Sequence, residues 1–206
     1  MTAILLSIRP EWCNLIIRGQ KTLEVRRTRP KLKTPFKVYV YCTKAVQHLI
    51  TIFKDGEEIE DGEIHHGKPV FLKCDKYLPD SIRDKTQMVI GEFTCDEIEN
   101  VVIPYPAYQN ELNPKFILSS GVPYTQLHRY ASSGKTRDDL FFWHISNFKL
   151  YEEPVRLKDF WAIQPCTHRG DCCTCRRWDA EKLIFRGEVF GIERPPQSWC
   201  YVEDGR

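Results

Sequence analysis

Apolar residues recur along most of this chain at every second position, a period that predicts strands rather than helices. Residues 3–8 (Ala-Ile-Leu-Leu-Ser-Ile) form a short apolar run, read as the first strand. A helix follows: Pro10 suits a first helical turn, Trp12, Leu15 and Ile16 repeat at helical spacing, and Gly19 stops it. Lys21–Thr28 then alternates, with Leu23 and Val25 on one face and Thr22, Glu24 and Arg26 on the other. Phe36–Thr43 alternates again, setting Phe36, Val38, Val40 and Cys42 against Tyr39, Tyr41 and Thr43. Further strands are expected at Val70–Asp75, Met88–Ile98, Phe141–Tyr151 and Ser198–Val202, and short helices at Tyr124–Ala131 and Leu157–Phe160. Residues 104–123, rich in Pro and Tyr, read as a long connection, and Ser132–Asp138 as a polar turn.

Six or seven strands with two or three short helices predict an α+β fold, a small, partly closed mixed β-barrel decorated with short helices. Residues 1–206 are expected to form one domain with two extras: an acidic insertion near 55–67 and a cysteine-rich loop near 164–177. Charged residues make up 28% and hydrophobic ones 42%, which excludes disorder across most of the length. The apolar run at 3–8 is too short for a secretory segment, and no window approaches a membrane span. A cytoplasmic protein without a membrane partner is expected.

Charge is unevenly placed. From Arg18 to Lys37 there are eight Lys or Arg against one acid, Glu24, so this window carries +7 while the whole chain is only +2. A face for an anionic partner is implied. Lys21, Arg26 and Arg27 can meet phosphate, the arginines by a bidentate fork. Glu24 has two readings: it accepts from the exocyclic amine of a base, as a carboxylate does for cytosine, or it pairs with Lys21 or Arg26 in a structural ion pair. Tyr39, Tyr41, Trp12 and Trp199 are candidates for stacking on a base, with Trp12 read as core.

Nine cysteines, an odd number mostly scattered in strand-like runs, argue against a disulfide framework. Cys42, Cys74 and Cys95 read as buried free thiols, and Cys13 and Cys200 suit the core as well. The other four cluster around Cys172-Cys173-Thr174-Cys175. Cys172 and Cys175 have the CxxC spacing that lets two thiolates share a tetrahedral ion, with Cys166 or His168 as third ligand and Cys173 or the distant Cys200 as fourth. A structural zinc and a metal-free loop both remain open; no cofactor is otherwise required.

Ser7-Ile8-Arg9-Pro10, the helix, Gly19-x-Lys21-Thr22-x-Glu24-x-Arg26-Arg27 and Tyr41-Cys42-Thr43-Lys44 together resemble the N-terminal signature of the ASCH domain family, part of the PUA-like superfamily. Val89-Ile90-Gly91-Glu92-Phe93, Trp143-His144-Ile145-Ser146 and Pro195-Pro196-Gln197-Ser198-Trp199 are similar to later pieces. The resemblance implies a groove between helix and barrel that receives RNA, a nucleotide or a modified base. It assigns ligand contacts to Arg9, Lys21, Thr22, Glu24, Arg26, Arg27, Tyr41, Thr43, Lys44, His144 and Trp199. A bacterial branch resembling the family hydrolyses acetylated cytidine with a Lys, matched by Lys21, and a Thr three residues later, where this chain has Glu24. The resemblance therefore carries over no nucleophile. If the chain is a ribonuclease or amidohydrolase, Lys21 and Glu24 are the acid–base pair it implies.

Overall fold

The computed structural model describes residues 2–44, 48–52, 58–60, 68–72, 78–133, 138–164, 178–179, 184–185 and 188–204. In chain order the elements are β1 (Thr2–Ile8), α1 (Pro10–Ile17), β2 (Leu23–Arg26), β3 (Phe36–Cys42), β4 (His48–Ile52), β5 (Glu58–Glu60) and β6 (Lys68–Leu72). They continue with β7 (Met88–Cys95), β8 (Ile98–Val102), α2 (Pro114–Ser120), α3 (Tyr124–Ser132), β9 (Asp139–His144), β10 (Ser146–Arg156) and β11 (Trp161–Gln164). The last are β12 (Trp178–Asp179), β13 (Ile184–Phe185), β14 (Glu188–Gly191) and β15 (Trp199–Glu203).

A seven-stranded sheet in the order β10-β7-β3-β1-β15-β11-β14 forms the main layer. Its central pair, β1 and β3, is parallel, with Ser7 opposite Tyr41, while β1 and β15 run antiparallel. The run at 3–8 is almost continuously apolar because both of its faces are covered. Ile4, Leu6 and Ile8 pack with Cys13 and Ile16 of α1. Ala3 and Leu5 pack on the other side with Tyr39, Tyr41, Phe160 and Val202.

A second layer is the three-stranded sheet β2-β9-β8. On one face Leu23, Val25, Leu140 and Phe142 pack under α2 and α3 against Phe116, Leu127 and Ala131. Period-2 alternation turns Glu24, Arg26, Phe141 and Trp143 the other way, and Trp143 enters the core of the main sheet. The strands β5-β4-β6 and β12-β13 make two smaller sheets.

The α+β composition is as expected, and no closed barrel is formed by the described strands. Among the described residues no ladder joins β10 to β14, and β2-β9-β8 is hydrogen-bonded apart from the main sheet. Two segments read as single strands are each broken at a corner. Met88–Ile98 divides into β7 in the main sheet and the start of β8 in the small one, and Phe141–Tyr151 divides into β9 and β10. Asn147, with φ +53°, lies just past the second corner. Alternation survives a change of sheet, so the hydrophobic pattern gave no sign of either break.

Residues 104–123 are also more ordered than a connection. They hold a 3₁₀ turn at Pro106–Glu111 and the helix α2. The local signals are present in retrospect: Asn113 Oδ1 accepts from Lys115 N at 3.0 Å, Pro114 fills the first helical position, and Gly121 closes the helix at φ +68°. Gly91 has a different reason to be glycine. A Cβ there would run into the Lys149 carbonyl oxygen of β10 and lie 3.2 Å from the Phe148 ring.

Cys13, Cys42 and Cys95 are buried and free, and Cys200 is free and half-buried. Cys74 lies outside the described residues, as does most of the acidic insertion; of that insertion, Glu58–Glu60 pairs with β4. No helix among the described residues is long and apolar enough to cross a membrane.

Candidate functional site

The segment after α1 is anchored by its backbone before any side chain acts. Lys21 N donates to Leu15 O at 3.1 Å, Thr22 N donates to Ser119 O at 2.8 Å, and Ile145 N donates to Thr22 O at 2.9 Å. These bonds hold the start of β2 against the ends of α1, α2 and β9. Lys21 is thereby turned inward, and its side chain is only 2% exposed.

Three charges meet there. Lys21 Nζ donates to Leu23 O and Ser120 O, both at 2.8 Å, and lies 3.2 Å from Glu24 Oε2. An ammonium has three protons, so its donors are fully used. Glu24 Oε1 takes Arg26 Nη2 at 2.8 Å. Arg26 Nη2 also donates to Ser7 O at 2.7 Å, and Nη1 to Ser198 Oγ at 3.3 Å. Ser7 in turn donates through Oγ to Pro196 O at 2.7 Å and through N to Ser198 O at 2.9 Å. The triad thus stitches β2 to β1 and to the segment that leads into β15.

Glu24 and Arg26 side chains are 8% and 10% exposed, so the polar face read from alternation is buried, not open to solvent. Of the two readings of Glu24, the ion pair is the one present here: each of its oxygens holds a cation. Lys21 and Arg26 against Glu24 leave one net positive charge in a poorly solvated place. Burial pushes the Lys21 ammonium below its ordinary pKa, while Glu24 pulls it back. Arg26 Nε is buried with no hydrogen-bond partner, as is Trp143 Nε1. Each unmet buried donor costs about 1–3 kcal/mol, more where the group is charged.

The other residues named from the sequence scatter around this centre. Arg9, before α1, is exposed and 3.9 Å from Glu11. Thr22, Arg27 and Lys44 are exposed, and Thr43 is half-buried with its N–H on Ile8 O. Arg27 lies 4.5 Å over the Tyr130 ring, donates to Tyr130 O at 2.8 Å and bonds Ser133 Oγ. Trp199 is half-buried, packs at 6.0 Å on Trp143 and donates to Thr28 Oγ1 at 3.0 Å. Trp12, read as core, is half-buried with Lys21 Nζ 5.4 Å from its ring centre.

Tyr41, Tyr39 and His144 are not brought to the triad. Tyr41 and Tyr39 are buried on the far face of the main sheet, Tyr39 edge-on to Phe160 at 5.0 Å. His144 faces the opposite side of β9 from Trp143, where Nε2 is 2.9 Å from Glu99, which also holds Lys115 at 2.9 Å. Sequence reasoning missed Ser7, Ser120, Ser198 and Trp143. Ser7 and Ser120 act through backbone carbonyls, which no residue type announces.

The proposed metal ligands Cys166, His168, Cys172 and Cys175 lie outside the described residues. Among the described residues no group of three His, Cys, Asp or Glu side chains is placed to hold a metal ion. A recess of about 580 Å³ beside β7 and β10 is lined by Glu92, Glu152 and Glu153 together with Lys149 and Tyr151. Its carboxylates disfavour phosphate, so it is not the site the basic segment implies.

The fold is a mixed α+β arrangement of one large sheet, smaller sheets and a few short helices, with a buried charge triad where the sheet layers meet. Residues 6–113 match the ASCH domain, and the chain belongs to that family. Among solved structures it is similar to the ASCH protein of Zymomonas mobilis, at 14% identity over 98% of this chain and 88% of that one, with a TM-score of 0.51. A Ser-to-Ala variant of the same protein matches at 13% identity over 98% and 89% of the two chains, with a TM-score of 0.51. At these identities the likeness is one of fold. No curated protein matches the chain.

Proposed function

We propose that this protein binds single-stranded RNA or a nucleotide, modified forms included, at the surface over the Lys21–Glu24–Arg26 triad. One observation carries the reading: two cations are buried about a single carboxylate within the most basic stretch of the chain. A purely structural role is met as well or better by apolar side chains of similar volume. A buried charge cluster in a cationic segment, with the Lys21 ammonium perturbed by its burial, favours a binding site instead. Exposed Arg9, Arg27, Arg29, Lys31 and Lys33 supply the phosphate contacts, with half-buried Trp12 and Trp199 as aromatic neighbours. Glu24 positions the two cations and does not read the base itself.

A hydrolase reading, ribonuclease or acylated-cytidine amidohydrolase, draws on the lowered pKa of Lys21 beside Glu24. The same ammonium has every proton engaged, which favours binding over proton transfer. The test is anisotropy of labelled single-stranded RNA between about 50 and 200 mM salt, a range over which several phosphate contacts weaken binding by orders of magnitude. The same RNA and an acylated cytidine are assayed for product. Salt-sensitive binding without product supports the proposal. Product that disappears in Lys21→Met transfers the site to the hydrolase reading, and absence of binding at low salt overturns the proposal.

A further inference from the structure

Two buried donors lack acceptors on the same face of the small sheet. In the β2–β9 ladder Glu24 stands opposite Trp143 and Arg26 opposite Phe141. Arg26 and Trp143 are therefore diagonal neighbours, with backbones about 7–8 Å apart and side chains projecting to one side. Arg26 Nε and Trp143 Nε1 are the unmet atoms, and both residues are at least nine-tenths buried. The rest of the Arg26 guanidinium is fixed by Glu24, Ser7 and Ser198, so Nε cannot turn away to solvent without breaking those bonds.

We propose that Arg26 Nε and Trp143 Nε1 form a two-donor seat for one carbonyl oxygen of a nucleobase. The inference rests on the nucleotide-binding reading above and names what that site selects. A carbonyl oxygen has two lone pairs and can take both donors at once. The surroundings are aromatic: Trp143 packs edge-on to Phe36 at 5.9 Å and against Trp199 at 6.0 Å. A phosphate fits poorly here, because Arg26 Nη2 is already engaged by the Glu24 carboxylate and the second donor is a neutral indole. Half-buried Trp199 packs against the indole, held by ring contacts and one bond to Thr28, and is the neighbour that must shift for the seat to fill. Uracil, cytosine and guanine carry a carbonyl; adenine carries none. The seat therefore prefers the first three.

The experiment follows the indole N–H signals of the five tryptophans by heteronuclear NMR while uridine, cytidine, guanosine and adenosine monophosphates are added. The Trp143 signal is assigned by its loss in Trp143→Phe, which keeps an aromatic ring and removes the donor. The carbonyl-bearing nucleotides are expected to shift that signal and to bind about tenfold more tightly than adenosine monophosphate, the scale of one well-made polar contact. Trp143→Phe is expected to abolish the preference among the four nucleotides, since the phosphate contacts that remain carry no base information. If that variant does not fold, the Trp143 signal is assigned in the unmodified protein by its through-space contacts with Phe36 and Trp199, and the order of the four nucleotide affinities decides. Equal affinity for all four nucleotides, with the Trp143 signal unmoved, overturns the seat and leaves the RNA-binding reading standing. A structural water bridging both donors that persists with nucleotide bound overturns it as well. Failure of every nucleotide and of RNA to bind removes both.

Discussion

Lys21 Nζ donates to the carbonyl of Ser120 at 2.8 Å, across 99 positions of chain. The bond ties the residue entering β2 to the last turn of α2, and its strength depends on the ammonium staying charged. Glu24 is what keeps it so.

Removal of Glu24 should therefore be worse than removal of Lys21. Glu24→Gln leaves two buried cations without a counter-charge, and is expected to cost about 3–5 kcal/mol. Lys21→Met keeps Glu24 paired with Arg26 and should cost clearly less. Urea unfolding of the two variants orders them, and an equal or reversed order would show that the three charges do not act as one unit.

Alkaline pH should destabilise the fold through its thiols. Burial pushes Cys95 from 9.0 up to about 12 and Cys200 up to about 11, and raises Cys13 too. The unfolded chain then ionises first, so the stabilisation is whole below pH 9 and is lost as pH climbs toward those values. Lys21 acts with the opposite sign. Its folded pKa is below 10.5, so its charge penalty is relieved as pH rises toward 10.5. Stability measured from pH 8 to 11 should fall less steeply in Cys95→Ala than in the parent, and more steeply in Lys21→Met.

Gly91→Ala forces a methyl into the Lys149 carbonyl and parts β7 from β10 locally. A loss of about 1–3 kcal/mol is expected, the usual scale of overpacking, measured as a lower thermal midpoint. An unchanged midpoint would mean that β10 gives way freely there.

Charge reversal at Arg29 and Lys33 leaves the buried triad untouched, because both residues are exposed. The double variant should unfold like the parent yet bind RNA more weakly. Its dependence on salt should be shallower, by about one unit of slope for each phosphate no longer neutralised. A preserved slope would move the binding surface elsewhere.

The order Lys21, Glu24, Arg26 was legible in the sequence, and so was the shared face of Glu24 and Arg26, because a strand's period is rigid. Their burial was not. Charged residues on the polar side of an alternating run read as solvent-facing, and the cover here comes from α1, Ser198 and Trp199, distant in sequence. The buried thiols at 13, 42 and 95 were legible from their apolar neighbours. The corners near Asp96 and Ile145 were not, because alternation continues through a change of sheet. The helix α2 was hidden by the Pro and Tyr around it, although its Asn113 cap, Pro114 and Gly121 were all in view.

The parallel pairing of β1 with β3 has one more consequence. Parallel neighbours cannot be joined by a tight turn, so residues 9–35 are the strap that carries the chain from one end of the sheet back to the other. The triad is threaded on that strap, and both of its ends are sewn into the centre of the main sheet. To lift outward it would have to break the β2–β9 ladder and the bonds of Lys21 to Ser120 and Arg26 to Ser7.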